Sequence, residues 1–361
     1  MLIRMQPQAT AHETHAMRQH LHRLGFQAMA LEYLGPGHFA AVPLAELAEL
    51  PEAETAAQLR AGGHAIATVE SLEAAGLASR SRRPEGTRVR VGGVEIGGEE
   101  TVIVAGPCSV ESREQLLATA LGVRAAGAHL LRGGAYKPRT STYSFQGLGR
   151  QGLALLAEVG AAVGLPVVTE VLATEDVELV AEHAQMLQVG ARNMQNFPLL
   201  KKLGGLRHPV LLKRSPSATL EEWLGAAEYL LARGNDQVVL CERGIRGFDR
   251  YTRNTLDLAA VAAVHELSHL PVMVDPSHGT GRRSLIAATA RAAVAVGADG
   301  VCLEVHVRPE ESVSDREQAI SPLDLAELMP SLRAIATACG RGVRRPPVRE
   351  AEISDAAYCT M

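Results

Sequence analysis

Between Thr101 and Cys339 the chain switches eight times between two hydrophobic periods. Short runs dense in Val, Leu and Ile predict strands at Thr101–Ala105, His129–Arg132, Pro166–Glu170, Met186–Val189, Pro209–Lys213, Val238–Cys241, Pro271–Val274 and Gly300–Glu304. Several are continuously apolar, as strands buried on both faces must be. Between them, stripes of helical period predict helices at Ser112–Ala126, Gln151–Val163, Thr174–Glu182, Met194–Leu203, Thr219–Arg233, Asn254–Leu267, Arg283–Val296 and Pro322–Ala338. Eight strand–helix units over roughly 240 residues have the size of a (β/α)8 TIM barrel, an α/β fold. A doubly wound sheet is the alternative, but no G-x-G-x-x-G follows the first strand.

Residues 1–70 carry a different pattern. A strand over Met1–Met5 precedes Thr10-Ala-His-Glu13, which fits a capping box, and Met17, Leu21 and Leu24 form one helical stripe that Gly25 ends. Strands at Phe26–Glu32 and His38–Val42, a helix at Glu52–Ala61 and a strand at His64–Val69 complete a βαββαβ order. That order suggests a small α+β ferredoxin-like domain. The predicted division is 1–70 for this domain, 71–100 for a linker and a barrel-capping hairpin, 101–340 for the barrel and 341–361 for a tail. Arg82-Arg83 reads as a solvated hinge, and Arg88–Ile96 as a hairpin around Gly92-Gly93 that could plug one end of the barrel. His12, His15, His20 and His22 read as solvated groups on a polar helix face.

Composition narrows the class. The chain of 361 residues is 47% hydrophobic, with no apolar run of the ~18 residues a membrane span needs and no signal-peptide core at MLIRMQPQAT. Five scattered cysteines are an odd number, which predicts reduced thiols and a cytoplasmic protein. A net charge of −4 argues against nucleic-acid binding and makes any strong positive field a local one.

Chemistry in a barrel of this kind sits at the C-terminal ends of the strands. Those ends read Gly-Pro-Cys108-Ser, Arg132, Thr-Glu170, Gly-Ala-Arg192-Asn, Lys213-Arg, Glu-Arg243-Gly, Asp-Pro-Ser-His278 and Glu304-Val-His306. After Arg132, two glycines lead into Lys137-Pro-Arg139-Thr140-Ser, a short loop suited to phosphate or carboxylate. Arg132, Lys137, Arg139, Arg192, Lys213 and Arg243 around one mouth would repel one another unless a multiply anionic substrate filled the space. Cys108, His278, Glu304 and Asp315 form a second constellation, because strands eight and one become neighbours when a barrel closes. A thiolate, an imidazole and two carboxylates suit Mn2+, Fe2+, Co2+ or Zn2+ rather than Mg2+. Cys241 and Cys302, inside strands, read as buried hydrophobes, and His306 as a group behind the ligands.

AGPCSVES, LRGGAYKPRTSTYSFQGLG, TEV, VGARNMQNFPLLKKLG, LLKR, CERGIR, DPSHGTGRR and EVH…SD strongly resemble the 3-deoxy-D-arabino-heptulosonate 7-phosphate (DAHP) synthases, in their short class with an N-terminal ferredoxin-like regulatory domain. The resemblance implies condensation of phosphoenolpyruvate with erythrose 4-phosphate, the entry to aromatic amino-acid synthesis. Carried over by motif, Cys108, His278, Glu304 and Asp315 would bind the divalent metal. Arg132, Lys137, Arg192, Lys213 and Arg243 would hold phosphoenolpyruvate, and Arg139 and Thr140 the erythrose phosphate. Lys137, His278 and Cys108 are the candidate catalytic groups, with Lys137 expected to give a proton under a pKa lowered by neighbouring cations. The sister family, the 3-deoxy-D-manno-octulosonate 8-phosphate synthases, takes arabinose 5-phosphate and has an Asn-rich loop where KPRTS stands here. One departure is Ser215-Pro216-Ser217, where Gly-Met is expected between Arg and Ser; Pro216 stiffens that loop. Two further expectations are an aromatic amino-acid effector bound by residues 1–70, covering the mouth, and a homo-oligomer, dimer or tetramer. A catalytically silent sensor would lack one of these residues, and none is missing.

Overall fold

Strand–helix alternation closes on itself here. The computed structural model describes residues 1–44, 52–70, 76–137, 143 and 145–343. Its first unit runs β1 (Leu2–Met5), α1 (Ala11–Arg23), β2 (Phe26–Ala30), β3 (His38–Pro43), α2 (Glu52–Ala61) and β4 (Ile66–Glu70). The four strands form an antiparallel sheet in the order β2-β3-β1-β4. Ile3, Met17, Leu21, Phe26 and Leu59 make its core. The helix start follows the capping-box reading: the Glu13 amide donates to Thr10 Oγ1 (3.2 Å) and the Thr10 amide to Glu13 Oε2 (2.7 Å). His12, His15 and His22 are exposed, but His20 is not a solvated group. Its Nδ1 lies 2.8 Å from His64 Nε2, and the two rings meet edge to face.

The linker is latched rather than loose. Arg82 pairs with Glu70 (3.2 Å) and Arg83 with Asp236 (3.4 Å), so the hinge expected at Arg82-Arg83 is held at both residues. A hairpin follows, β5 (Val89–Val91) and β6 (Val94–Ile96), turned by Gly92 at φ 58°.

The barrel strands are β7 (Val102–Gly106), β8 (Leu130–Arg132), β9 (Val167–Glu170), β10 (Met186–Val189), β11 (Val210–Lys213), β12 (Val238–Glu242), β13 (Val272–Val274) and β14 (Gly300–Glu304). All eight pair in parallel, and β14 closes on β7 with Glu304 opposite Gly106. The helices between them are α3 (Arg113–Ala126), α4 (Arg150–Val163), α5 (Val177–His183), α6 (Phe197–Gly204), α7 (Leu220–Leu231), α8 (Leu258–Leu267), α9 (Pro276–Thr280), α10 (Arg283–Ala295) and α11 (Pro322–Ala338). Three start later than the hydrophobic stripe predicts, α5 after a 3-10 turn over Thr174–Asp176 and α6 and α8 behind caps of their own. Asn196 caps α6 through the Leu199 amide, and Asp257 caps α8 through the Ala260 amide. Asn254 and Thr255, expected in α8, are spent on an extended excursion in front of it.

Inside the barrel, Val102, Val104, Leu130, Val168, Met186, Leu211, Val239, Cys241, Met273 and Cys302 pack into one apolar layer. Val89, Val91 and Ile96 of the hairpin join that layer and seal the N-terminal end. The contacts that tie the N-terminal unit and linker to the barrel also fall at this end. Glu32 meets Arg207 (2.8 Å) just before β11, Glu228 takes the amides of Leu77 and Ala78, and His269, just before β13, bonds Leu77 O and Thr87 Oγ1. Within one chain, residues 1–70 therefore sit opposite the mouth and do not cover it.

Candidate active site

Side chains alternate along a strand, so one further step of two along each apolar strand gives the next inward residue. From Leu130 the step leads to Arg132, from Val168 to Glu170, from Met186 to Gln188 and from Leu211 to Lys213. From Cys241 it leads to Arg243, from Met273 to Asp275 and from Cys302 to Glu304. A charged layer thus lies directly on the apolar one, at the C-terminal ends of the strands.

At the closure of β14 on β7, Cys108 Sγ, a Glu304 oxygen and an Asp315 oxygen lie within 4.8 Å of one another. Cys108 Sγ is 3.2 Å from Asp315 Oδ2, 3.1 Å from Ser314 Oγ and 3.0 Å from Lys137 Nζ. His278 adjoins the group through Glu304, its Nε2 3.2 Å from Oε1. Its Nδ1 donates to Asp275 Oδ2 (2.7 Å), which fixes the tautomer and leaves the Nε2 lone pair facing the cluster. Two glycines let these segments approach. Gly106 has φ 153° and a Cβ there would stand 2.1 Å from Arg132 O, while one on Gly134 would stand 2.7 Å from Cys108 O.

The donor set fits a divalent metal. Burial, reinforced by Glu304, pushes the Cys108 thiol up to about 12, so it keeps its proton near neutrality unless a cation replaces it. Burial also depresses His278, against the pull of Asp275 and Glu304, so the imidazole is neutral, as a ligand requires. Glu304 Oε1 is buried and has no hydrogen-bond partner among the described residues. A soft sulfur, a neutral nitrogen and two carboxylates are a set for a transition metal rather than Mg2+.

Beside the cluster opens a cleft of about 630 Å³ lined by Lys137, Arg192, Lys213, Arg243, His278 and Asp315. Glu170, Gln188, Ser215, Ser217, Arg246, Arg253 and Asn254 complete its wall. The cations are not a bare repelling ring, as their sequence positions suggested. Lys213 pairs with Asp275, Arg132 with Glu304 (3.2 Å) and Arg253 with Asp315 (3.5 Å). Arg132 is buried beneath the cleft, and its Nη1 has no hydrogen-bond partner among the described residues. The pKa expected for Lys137 is also corrected. Burial alone would lower it, but Cys108, Glu304 and Glu170 outweigh burial and raise it, so the ammonium form is held.

Arg139 and Thr140 lie outside the described residues. The Ser215-Pro216-Ser217 departure is accommodated: Ser215 N–H meets Met194 Sδ (3.2 Å) and Pro216 O accepts the Arg246 amide (2.7 Å). His306 Nε2 stands 3.4 Å from Glu111 Oε2. Asp275, Arg253 and Gln318 were missed as site residues. Stepping by two from Met273 would have found Asp275, whereas nothing local marks the other two.

A closed parallel barrel with a thiol, imidazole and carboxylate cluster beside a cationic cleft is the arrangement of a metal-assisted enzyme for anionic substrates. The model of the DAHP synthetase I family matches residues 71–338, and the chain belongs to that family. It is 51% identical to the phospho-2-dehydro-3-deoxyheptonate aldolase of Thermotoga maritima, over 73% of this chain and 78% of that one. A solved structure of that organism's DAHP synthase covers 94% of this chain and 98% of its own, with a TM-score of 0.72 and 40% identity. A truncated form of the Thermotoga enzyme covers 74% of this chain and 98% of its own, with a TM-score of 0.69 and 47% identity. The 2-dehydro-3-deoxyphosphooctonate aldolase of Geobacter sulfurreducens is 29% identical over 68% of this chain and 97% of that one.

Proposed function

We propose that this chain joins phosphoenolpyruvate to erythrose 4-phosphate, with uptake of water, giving 3-deoxy-D-arabino-heptulosonate 7-phosphate and inorganic phosphate, the first step of the shikimate pathway. The observation that carries this reading is the Cys108–Glu304–Asp315 cluster standing against a cleft walled by Lys137, Arg192, Lys213 and Arg243, in a chain of this family.

Cys108, His278, Glu304 and Asp315 hold a divalent cation, Mn2+, Fe2+, Co2+ or Zn2+. When bound, such a cation supplies Lewis acidity toward the aldehyde oxygen of the acceptor sugar. Arg132, Lys137, Arg192, Lys213 and Arg243 bind the phosphate and carboxylate of phosphoenolpyruvate and orient its C3 toward the aldehyde; Arg139 and Thr140 take the erythrose phosphate. The C3–C1 bond forms, water adds to the C2 carbon that loses the double-bond electrons, and phosphate departs. Positioning of two anions supplies up to roughly 7–11 kcal/mol of such a barrier. Lys137 carries the proton for the new hydroxyl, and its held ammonium also balances charge beside Cys108. Lys137→Met should lower turnover by 10²-fold or more, the order of a lost general acid. Near-normal turnover would remove it from that role.

Phosphoenolpyruvate consumption measured with erythrose 4-phosphate and with arabinose 5-phosphate, before and after chelation, tests the whole reading. Consumption should need erythrose 4-phosphate and stop on chelation. Preference for arabinose 5-phosphate would assign the chain to the sister activity instead.

The division into 1–70, 71–100, 101–340 and 341–361 goes with this reading. Residues 1–70 act as a regulatory domain for an aromatic amino acid within a dimer or tetramer. Since that unit attaches opposite the mouth of its own barrel, control of the mouth would have to pass between chains or through the barrel. Tyrosine and phenylalanine titrations with and without residues 1–70 check it: inhibition should vanish on deletion while turnover persists.

A further inference from the structure

The segment between β12 and α8 leaves the barrel wall at Gly244 and folds on itself. Ile245 and Thr255 exchange both backbone hydrogen bonds, each 2.9 Å. Its returning arm is then laid along the element that carries His278. The Arg253 amide donates to Thr280 O (2.9 Å), the Asn254 amide to Gly279 O (3.0 Å) and the Asn254 side-chain amide to His278 O (3.2 Å). This docking needs glycines beneath it: a Cβ on Gly281 would stand 2.6 Å from Arg253 Cβ, and one on Gly279 2.6 Å from a Leu256 methyl.

From that arm Arg253 reaches both carboxylates of the cluster. Its Nη1 donates to Gln318 Oε1 (3.0 Å) and lies 3.5 Å from Asp315 Oδ1. Gln318, buried, passes the contact on, its Nε2 donating to Glu304 Oε2 at 2.6 Å. The amide orientation is fixed by chemistry. A flipped Gln318 would set its NH2 against a guanidinium and its carbonyl against a carboxylate, two contacts without an acceptor or a donor. The chain of contacts also has work to do. Two carboxylates within one cluster repel one another until a cation is bound, and Asp315 sits in the left-handed region at φ 50°, where a non-glycine residue needs its surroundings to hold it.

We propose that Arg253 is a positioning residue for the metal cluster: through Gln318 and directly, it holds Glu304 and Asp315 in ligating arrangement, so the β12–α8 segment is part of the metal site. This rests on the metal reading above and extends it to residues that do not ligate. Partners behind metal ligands typically change affinity by about 10–100-fold.

The test titrates Co2+ into chelator-stripped full-length protein, followed by the thiolate-to-cobalt absorption band. Parent protein should bind, and Cys108→Ser should lose the band. Arg253→Met and Gln318→Met should each weaken binding by about 10–100-fold while reaching the band at saturation. Because the two lie on one chain of contacts, the double variant should be little weaker than the worse single one. Arg253→Lys should recover only part, since both contacts come from Nη1 and an ammonium keeps the charge but not the reach of the guanidinium. Arg253 is half exposed, so it serves as the variant that keeps its fold if the buried Gln318 variant does not. Wild-type affinity in Arg253→Met, with circular dichroism and melting unchanged, would overturn the proposal. Absence of Co2+ binding by the parent would overturn the metal reading itself.

Discussion

Asp275 shows how one buried carboxylate can set the state of several neighbours. It is fully buried, caps α9 through the His278 amide (2.9 Å), accepts His278 Nδ1–H and pairs with Lys213. Burial would raise its pKa, but His278 and Lys213 hold the carboxyl well below its usual range. Asp275→Asn keeps the shape and removes the charge. A metal titration should show affinity reduced by about 10–100-fold, and a phosphoenolpyruvate KM raised as Lys213 loses its partner. Unchanged metal affinity would mean that His278 is oriented by packing alone. At this scale much was legible: Cys108, His278, Glu304 and Asp315 stand at strand ends or just after one, and the residue types announce their chemistry. The ammonium of Lys137 differs from expectation because sequence reveals the neighbouring cations but not that its Nζ lies 3.0 Å from Cys108 Sγ and under the pull of Glu304 and Glu170.

Element boundaries followed local chemistry wherever a cap decided them. Thr219 and Glu222 form the reciprocal box that starts α7, with the Glu222 amide 3.1 Å from Thr219 Oγ1 and the Thr219 amide 2.8 Å from Glu222 Oε2. Behind this start, Trp223 is fully buried and its Nε1–H donates to Leu212 O (3.2 Å), fastening the helix to β11 at the residue just before Lys213. Thr219→Ala should cost about 1 kcal/mol in urea unfolding and leave turnover intact. A loss several times larger would mean that the cap also supports the Lys213 loop. Strands were legible because apolar runs of that length, repeated between helical stripes, have few other uses. The late start of α8 was not, because Asn254 and Thr255 bond to a bridge partner ten residues back and to α9, whose nearness no local pattern records.

The N-terminal unit, linker and barrel are tied by polar groups held in one protonation state. His269 is buried between Leu77 O and Thr87 Oγ1, and burial depresses its pKa more than the Leu77 contact lifts it. His208 is depressed by burial as well, and His20 by burial and by His64. A histidine with a lowered folded pKa leaves the unfolded chain binding more protons, so stability rises with pH through that window. Its contribution is complete above the unfolded value of about 6.5 and is lost as pH falls from there through the folded value. Melting temperature should therefore be level just above about pH 7 and decline below about 6.5, with His269→Gln shallower over that range. A parallel decline in the variant would take His269 out of the linkage. Among the described residues no helix is long and apolar enough to cross a membrane.

The order of strands and helices, the capping boxes that start α1 and α7, and the side chains able to bind metal and anions were all determined by the sequence alone. They depend on neighbours within a few residues, and such neighbours are visible in a linear chain. Tertiary structure alone decided that Glu304 meets Gly106 across the closing seam, that the N-terminal unit docks opposite the mouth, and that Arg253 reaches Asp315 from 62 positions away. Those outcomes follow from closing the barrel, which fixes distances between segments whose sequence separation carries no information about them.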